Sequence, residues 1–185
     1  MPSFLPPAFS FPPLLSLFSK DSGQGISIKK KRAKRTRMKK VICIPGNGNG
    51  NVEDGWFPYV KRELEKVGLP VIVKNFPDPV MAREKYWLPH ILELGADTET
   101  ILIGYSSGAV AAMRYAEKHH ILGSVLVGVC HTDLGEVSER VSGYYDHPWN
   151  WETIKKNQEW ILEFSSTDDP FIPISEQRFV HAQLD

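Results

Sequence analysis

Residues 100–120 read TILIGYSSGAVAAMRYAEKHH, and this stretch decides the fold. Thr100–Ile103 is a short β-branched apolar run, the signature of a buried strand. Ser107–His120 is Ala-rich with helical spacing. Between them stands Gly104-Tyr105-Ser106-Ser107-Gly108, a G-x-S-x-G whose context is strand, turn and helix. A turn that sharp forces Ser106 into a strained backbone conformation. Side chains two residues before and two after would collide, and glycine at 104 and 108 removes them. The hydroxyl of Ser106 would then stand at the carboxyl edge of a sheet, over a helix N-terminus. The N–H of Ser107 would point to the same spot, where free amides favour negative charge. Ser106 is thus a candidate nucleophile, and Ser107 supplies half of a candidate oxyanion hole. The plainer alternative is a helix N-cap serine in a glycine-rich turn.

Working outward, VICIP (41–45), LPVIVKNF (69–76), ILGSVLVGVC (121–130) and EWILEFS (159–165) read as further strands. Helical spacing runs through 54–67, with apolar positions at Trp56, Tyr59, Val60, Leu64 and Val67. Further helices are expected over 81–94, interrupted at Pro89, over 151–157 and from 175 to 184. Residues 131–150 read as a polar, aromatic loop region. Strands alternating with helices imply βαβ units: an α/β protein with a parallel sheet and helices on both faces, a three-layer sandwich. The apolar continuity of the strands fits a sheet covered on both sides.

The loop after the first strand, Pro45-Gly46-Asn47-Gly48-Asn49-Gly50-Asn51, tolerates positive φ and exposes backbone N–H groups. Asn47 and Gly48 are the candidate donors for the other half of the hole. The loop lacks the dinucleotide G-x-G-x-x-G spacing and the lysine of a phosphate loop, which argues against nucleotide binding. A serine nucleophile needs a base, and the base an orienting carboxylate. After the fifth strand, SSTDDPF (165–171) offers Asp168 and Asp169 as that acid. His181 is the one histidine downstream of them, on an expected helix with no strand in between, which is a poor position for a base. His90, His119, His120, His131 and His147 all precede the acid. The segment SGYYDHPWNW (142–151) is dense in aromatics and reads equally as a pocket wall beside Ser106 or as a packed segment.

The 185 residues suffice for one domain with a sizeable core, and 42% hydrophobic with 24% charged residues is ordinary for a globular chain. Net charge is zero but unevenly spread. Residues 1–40 hold ten Lys/Arg against Asp21 alone, leaving 12 basic and 21 acidic residues for the remainder. An acidic body argues against nucleic-acid binding by the folded domain. Residues 1–40 are Pro-rich and basic, and are expected to be a disordered extension. Within them KKKRAKRTR (29–37) fits a nuclear-localisation pattern; the alternative is a solvated tail, or an upstream extension with translation starting at Met38. Apolar and basic residues stand in the wrong order for a secretory signal, and the apolar run is too broken to span a membrane. Cys43 and Cys130 each lie in an apolar run and read as buried thiols of a reducing compartment, so a cytoplasmic protein is expected. No spacing suggests a metal or a cofactor. The expected partners are a small-molecule or peptide substrate, with the chain a monomer.

Together, VICIPGNGNG, ELEKVG, KNFPDPVMARE, YWLPH, GYSSGAVAAMRYAE, SGYYDHPWNWETIK and SSTDDPFIP resemble the small α/β-hydrolases of the retinoblastoma-binding protein 9 type, across residues 41–185. The resemblance implies an α/β-hydrolase-like fold and a Ser-Asp-His triad, with the nucleophile at Ser106 and the acid at Asp169. The family's histidine, last strand and last helix lie beyond residue 185. The domain over 41–185 therefore reads as C-terminally incomplete, with impaired hydrolysis of a small ester, amide or peptide bond. It would be a shortened isoform, an incomplete gene model or a catalytically silent protein-binding module. The namesake's L-x-C-x-E segment falls near Leu94-Gly95-Ala96-Asp97-Thr98, where its cysteine and glutamate are both absent.

Overall fold

The computed structural model describes residues 38–53 and 55–185, all within the unit Thr36–Asp185. The expected disordered extension, apart from its last three residues, and the basic stretch 29–37 lie outside the described residues. Five strands form one sheet: β1 (Lys40–Ile44), β2 (Val71–Val73), β3 (Thr100–Tyr105), β4 (Gly123–Val127) and β5 (Trp160–Phe164). Six helices accompany them: α1 (Phe57–Lys66), α2 (Glu84–Glu93), α3 (Ser107–Ala116), α4 (Val137–Arg140), α5 (Trp151–Lys156) and α6 (Ile174–Leu184).

Strand order is β2-β1-β3-β4-β5, every pair parallel, with Ile42 in register with Ile72 on one side and Leu102 on the other. The chain steps outward from β1 to β2, then returns past β1 to lay down β3, β4 and β5. The order therefore reverses between β1 and β3. At such a switch point the loops leaving two adjacent strands diverge and open a crevice at the carboxyl edge. Those two loops are the Gly/Asn run 45–51 and the Ser106 turn.

Side chains of adjacent strand residues point to opposite faces, so each strand feeds two cores. Ile42, Ile44, Leu102 and Leu126 face a large core with Trp87, Ile91, Met113, Ile154 and Val180 from α2, α3, α5 and α6. Val41, Cys43 and Ile103 face a smaller one with Phe57 of α1. The three-layer arrangement is thus uneven. On the α1 side β5 carries exposed Trp160, Leu162 and Phe164. A sheet apolar and covered on both faces holds for β1 and β3 and fails at β5, which pairs only with β4 among the described residues.

The largest departure from the expected elements is at Pro89. It sits inside α2, where it removes one helical hydrogen bond and was expected to break the helix. Trp87, Leu88 and Ile91 are buried around it, and Trp87 Nε1–H donates to the Pro77 carbonyl at 2.7 Å. Tertiary burial of that face outweighs the missing bond. LPVIVKNF yields only three paired residues, and the 131–150 region contains the short helix α4.

Arg114, fully buried in α3, holds the 142–150 segment in place. Its Nε and Nη2 donate to the Tyr144 carbonyl, Nη2 to the His147 carbonyl at 2.7 Å and Nη1 to the Pro148 carbonyl at 3.2 Å. Nη1 also meets Glu117 at 2.9 Å, and the guanidinium lies 3.5 Å from the Trp149 ring centroid. Removing it would strand a carboxylate and three carbonyls. Arg114→Ala should lower unfolding free energy by roughly 3–5 kcal/mol, read by urea titration.

Candidate active site

Ser106 follows β3 and caps α3 with φ 53° and ψ −122°, the strained conformation expected of the turn. Its N–H donates to Val127 O at 2.9 Å, and its carbonyl accepts from Ala109 N at 2.8 Å and Val110 N at 3.2 Å. These bonds lock the elbow to β4 and to the first turn of α3. The glycines are a packing requirement. A Cβ on Gly108 would lie 2.8 Å from the Ile44 carbonyl carbon, and one on Gly104 would lie 2.6 Å from Ala109 N. The elbow is thus pressed against the end of β1.

A cavity of about 450 Å³ opens over Ser106, lined among others by Gly46, Asn47, Glu139, Asp169 and Ile172. That is the volume of a small-molecule site. The loop after β1 lies against the elbow, since a Cβ on Gly46 would fall 3.3 Å from Tyr105 Cδ1 and 3.4 Å from the Ser106 Cβ. Of the acid pair, Asp169 lines the cavity. Its Oδ1 accepts from the Phe171 and Ile172 amides at 2.9 and 3.0 Å, while its Oδ2 lies beside Gly128 at the end of β4. Asp168 is exposed and bonded to Ser166.

Not every expected site residue gathers here. Gly48 is exposed and its N–H is already donated to Val80 O at 3.1 Å, so it is not free to serve as the oxyanion donor. The loop folds back on residues 79–80, which draws that amide away from Ser106. Asn47 and the Ser107 amide remain; as the first residue of α3, Ser107 has no intrahelical acceptor for its N–H. The aromatic segment 142–151 contributes none of the cavity wall; Arg114 and Trp149 turn it into the core instead. The wall comes from Leu134, Glu136, Ser138 and Glu139, and from Pro170-Phe171.

Among the described residues no histidine lines the cavity. His181 sits on α6, its Nδ1 3.3 Å from Glu163 Oε1, beside a second cavity along β5. His131 pairs with Glu176 at 2.8 Å and stacks on Phe179; His119 stacks on Tyr115.

Glu139, 7% exposed, was not singled out by any motif. Its Oε1 accepts from Asn47 Nδ2 at 2.6 Å and from Ser107 Oγ at 2.8 Å; Oε2 accepts from Tyr145 OH at 3.2 Å. Tyr145 OH also lies 3.2 Å from Cys130 Sγ. Burial raises the Tyr145 phenol far above its ordinary range and pushes the Cys130 thiol up to about 12. Both stay protonated, so the thiol donates to the phenol and the phenol to Glu139.

A parallel α/β sheet with a strained serine at a strand–turn–helix elbow, beside its switch point, defines the α/β-hydrolase class. Comparison with known proteins narrows this. The chain is 50% identical over 149 residues to serine hydrolase RBBP9 of Rattus norvegicus, covering 79% of this chain and 80% of the rat protein. It is 27% identical over 158 residues to the putative hydrolase YdeN of Bacillus subtilis, covering 80% of each. The crystal structure of the B. subtilis ydeN gene product superposes with TM-score 0.71 at 23% identity, over 80% of this chain and 82% of that one. Est1E of Butyrivibrio proteoclasticus, solved with ferulic acid bound, gives TM-score 0.65 at 14% identity over 80% of this chain and 76% of that one, a likeness of fold. No protein-family model matches. The chain belongs to the RBBP9 family of serine hydrolases, which are enzymes of the α/β-hydrolase fold.

Two measurements check this geometry. Gly108→Ala drives a methyl into the β1 backbone and should cost at least about 2 kcal/mol of unfolding free energy in urea titration. Cys43 and Cys130 are free, and burial pushes both thiols up to about 12. Neither should be alkylated by iodoacetamide at pH 8 in the folded chain, and both should be in urea, as read by mass spectrometry.

Proposed function

We propose that the chain hydrolyses a small ester, amide or peptide bond through an acyl-Ser106 intermediate. Ser106 Oγ attacks the substrate carbonyl carbon as its proton passes to a base, the leaving group departs with that proton, and water releases the acyl group; no histidine among the described residues stands at the cavity to be that base, so hydrolysis by these residues alone is impaired. Asp169 orients the base, and the N–H groups of Ser107 and Asn47 receive the oxyanion. Gly48, whose amide is already engaged, is left out of the hole. The observation that carries this reading is the positive φ of Ser106 at the mouth of a cavity that Asp169 also lines. The substrate is a small molecule or short peptide, in keeping with the cavity volume, and the working form is a monomer.

A second reading, a catalytically silent protein-binding module, is favoured by one observation. Among the described residues no histidine lines the cavity, and His181 is engaged with Glu163 elsewhere. No helix among the described residues is long and apolar enough to cross a membrane. The free thiols favour a cytoplasmic setting, and the basic stretch 29–37 gives access to the nucleus.

Labelling with a fluorophosphonate probe separates the two readings, with Ser106→Ala alongside. The enzyme reading expects labelling of the parent chain that the substitution abolishes. A chain that melts cooperatively yet takes no label is the silent module.

A further inference from the structure

We propose that Glu139 is the positioning residue of the oxyanion hole. A single oxygen, Oε1, accepts hydrogen bonds from the side chains of Asn47 and Ser107, the two residues whose backbone N–H groups form the hole's halves. The inference rests on the serine-hydrolase reading and extends it to a residue from a third segment, α4.

The two halves come from a loop and a helix N-terminus with no covalent reason to stay in register. Ser107 is fixed by the first turn of α3. Asn47 belongs to a Gly/Asn run whose next two amides are tied to the carbonyls of Val80 and Pro79, and those bonds do not set its distance from Ser107. A loop drifting from the helix by even an ångström would not present both donors to one oxygen. A shared acceptor removes that freedom, since moving Asn47 away from Ser107 breaks a 2.6 Å or a 2.8 Å bond. Glu139 is itself held from behind by Tyr145, whose ring packs edge-on against Trp149, which stacks on Arg114. The register of the hole is thus anchored to buried Arg114 in the last turn of α3. Both bonds to Oε1 use side chains, so the amides stay free for the substrate.

The test uses the full chain with Glu139→Ala, Glu139→Gln and Asn47→Ala. Two readouts are taken: the second-order rate of fluorophosphonate labelling, and amide hydrogen exchange over residues 46–51. Glu139→Ala should slow labelling by about tenfold or more and speed exchange in the loop. Glu139→Gln keeps an acceptor oxygen for both donors and should recover most of that loss. Adding Asn47→Ala to Glu139→Ala should cost nothing further, because both remove the same tie. Labelling of Glu139→Ala at the parent rate, equal losses in the Ala and Gln variants, or full additivity with Asn47→Ala would overturn the proposal. If the parent takes no label, the nucleophile reading fails separately. Loop exchange then decides alone: faster exchange in Glu139→Ala sustains Glu139 as the tie, and unchanged exchange removes it.

Discussion

The carbonyl groups of Ile44 and Pro45 occupy the space where a side chain at position 108 would go. That contact joins the end of β1 to the start of α3, and the rest of the site depends on it. With Gly108 in place, α3 can begin directly against the sheet edge, and all ten of its residues are buried. Ser106 then has no relaxed conformation available, because its N–H is tied to β4 and its carbonyl to the helix. The strain at Ser106 is a consequence of how closely a helix is brought to two strands, and the surrounding hydrogen bonds hold it there.

From the same helix a polar core extends toward the cavity wall. A buried guanidinium is costly unless its donors are met, and Arg114 meets them with three backbone carbonyls, a carboxylate and the face of Trp149. This turns residues 142–150 inward and leaves the cavity wall to residues 134–139. Glu139 arrives at the elbow as a result. Its neighbours Tyr145 and Cys130 remain protonated under burial, so the donors run in one direction toward its carboxyl group. The sheet supplies the elbow and the Arg114 cluster supplies what surrounds it.

Much of the fold was legible because it rests on local signals. The apolar run at 100–103, the glycines at 104 and 108 and the Ala-rich stretch that follows agree on one strand, one turn and one helix. The acid pair was legible as a pair, since Asp-Asp-Pro after a strand marks a turn. The resemblance already pointed to Asp169 within that pair, and in the structure it is Asp169 that lines the cavity, its carboxyl beside Gly128 of another loop. Pro89 misled for a related reason: local propensity opposes the helix there, and burial of Trp87 and Ile91 outweighs it.

By itself, then, the sequence determined the parallel α/β class and the position of the elbow, because each follows from residues near one another in the chain, and the family, through short stretches spread over residues 41–185. The tertiary structure alone decided that Gly48 spends its amide on Val80, that the aromatic segment packs inward, that β5 keeps an exposed face, and that Glu139 bridges Asn47 and Ser107. Asn47 and Glu139 stand 92 residues apart in sequence. A hydrogen bond over that separation leaves no period, spacing or composition to read, since it exists only once the sheet has brought the segments that follow β1 and β4 together around the end of β3.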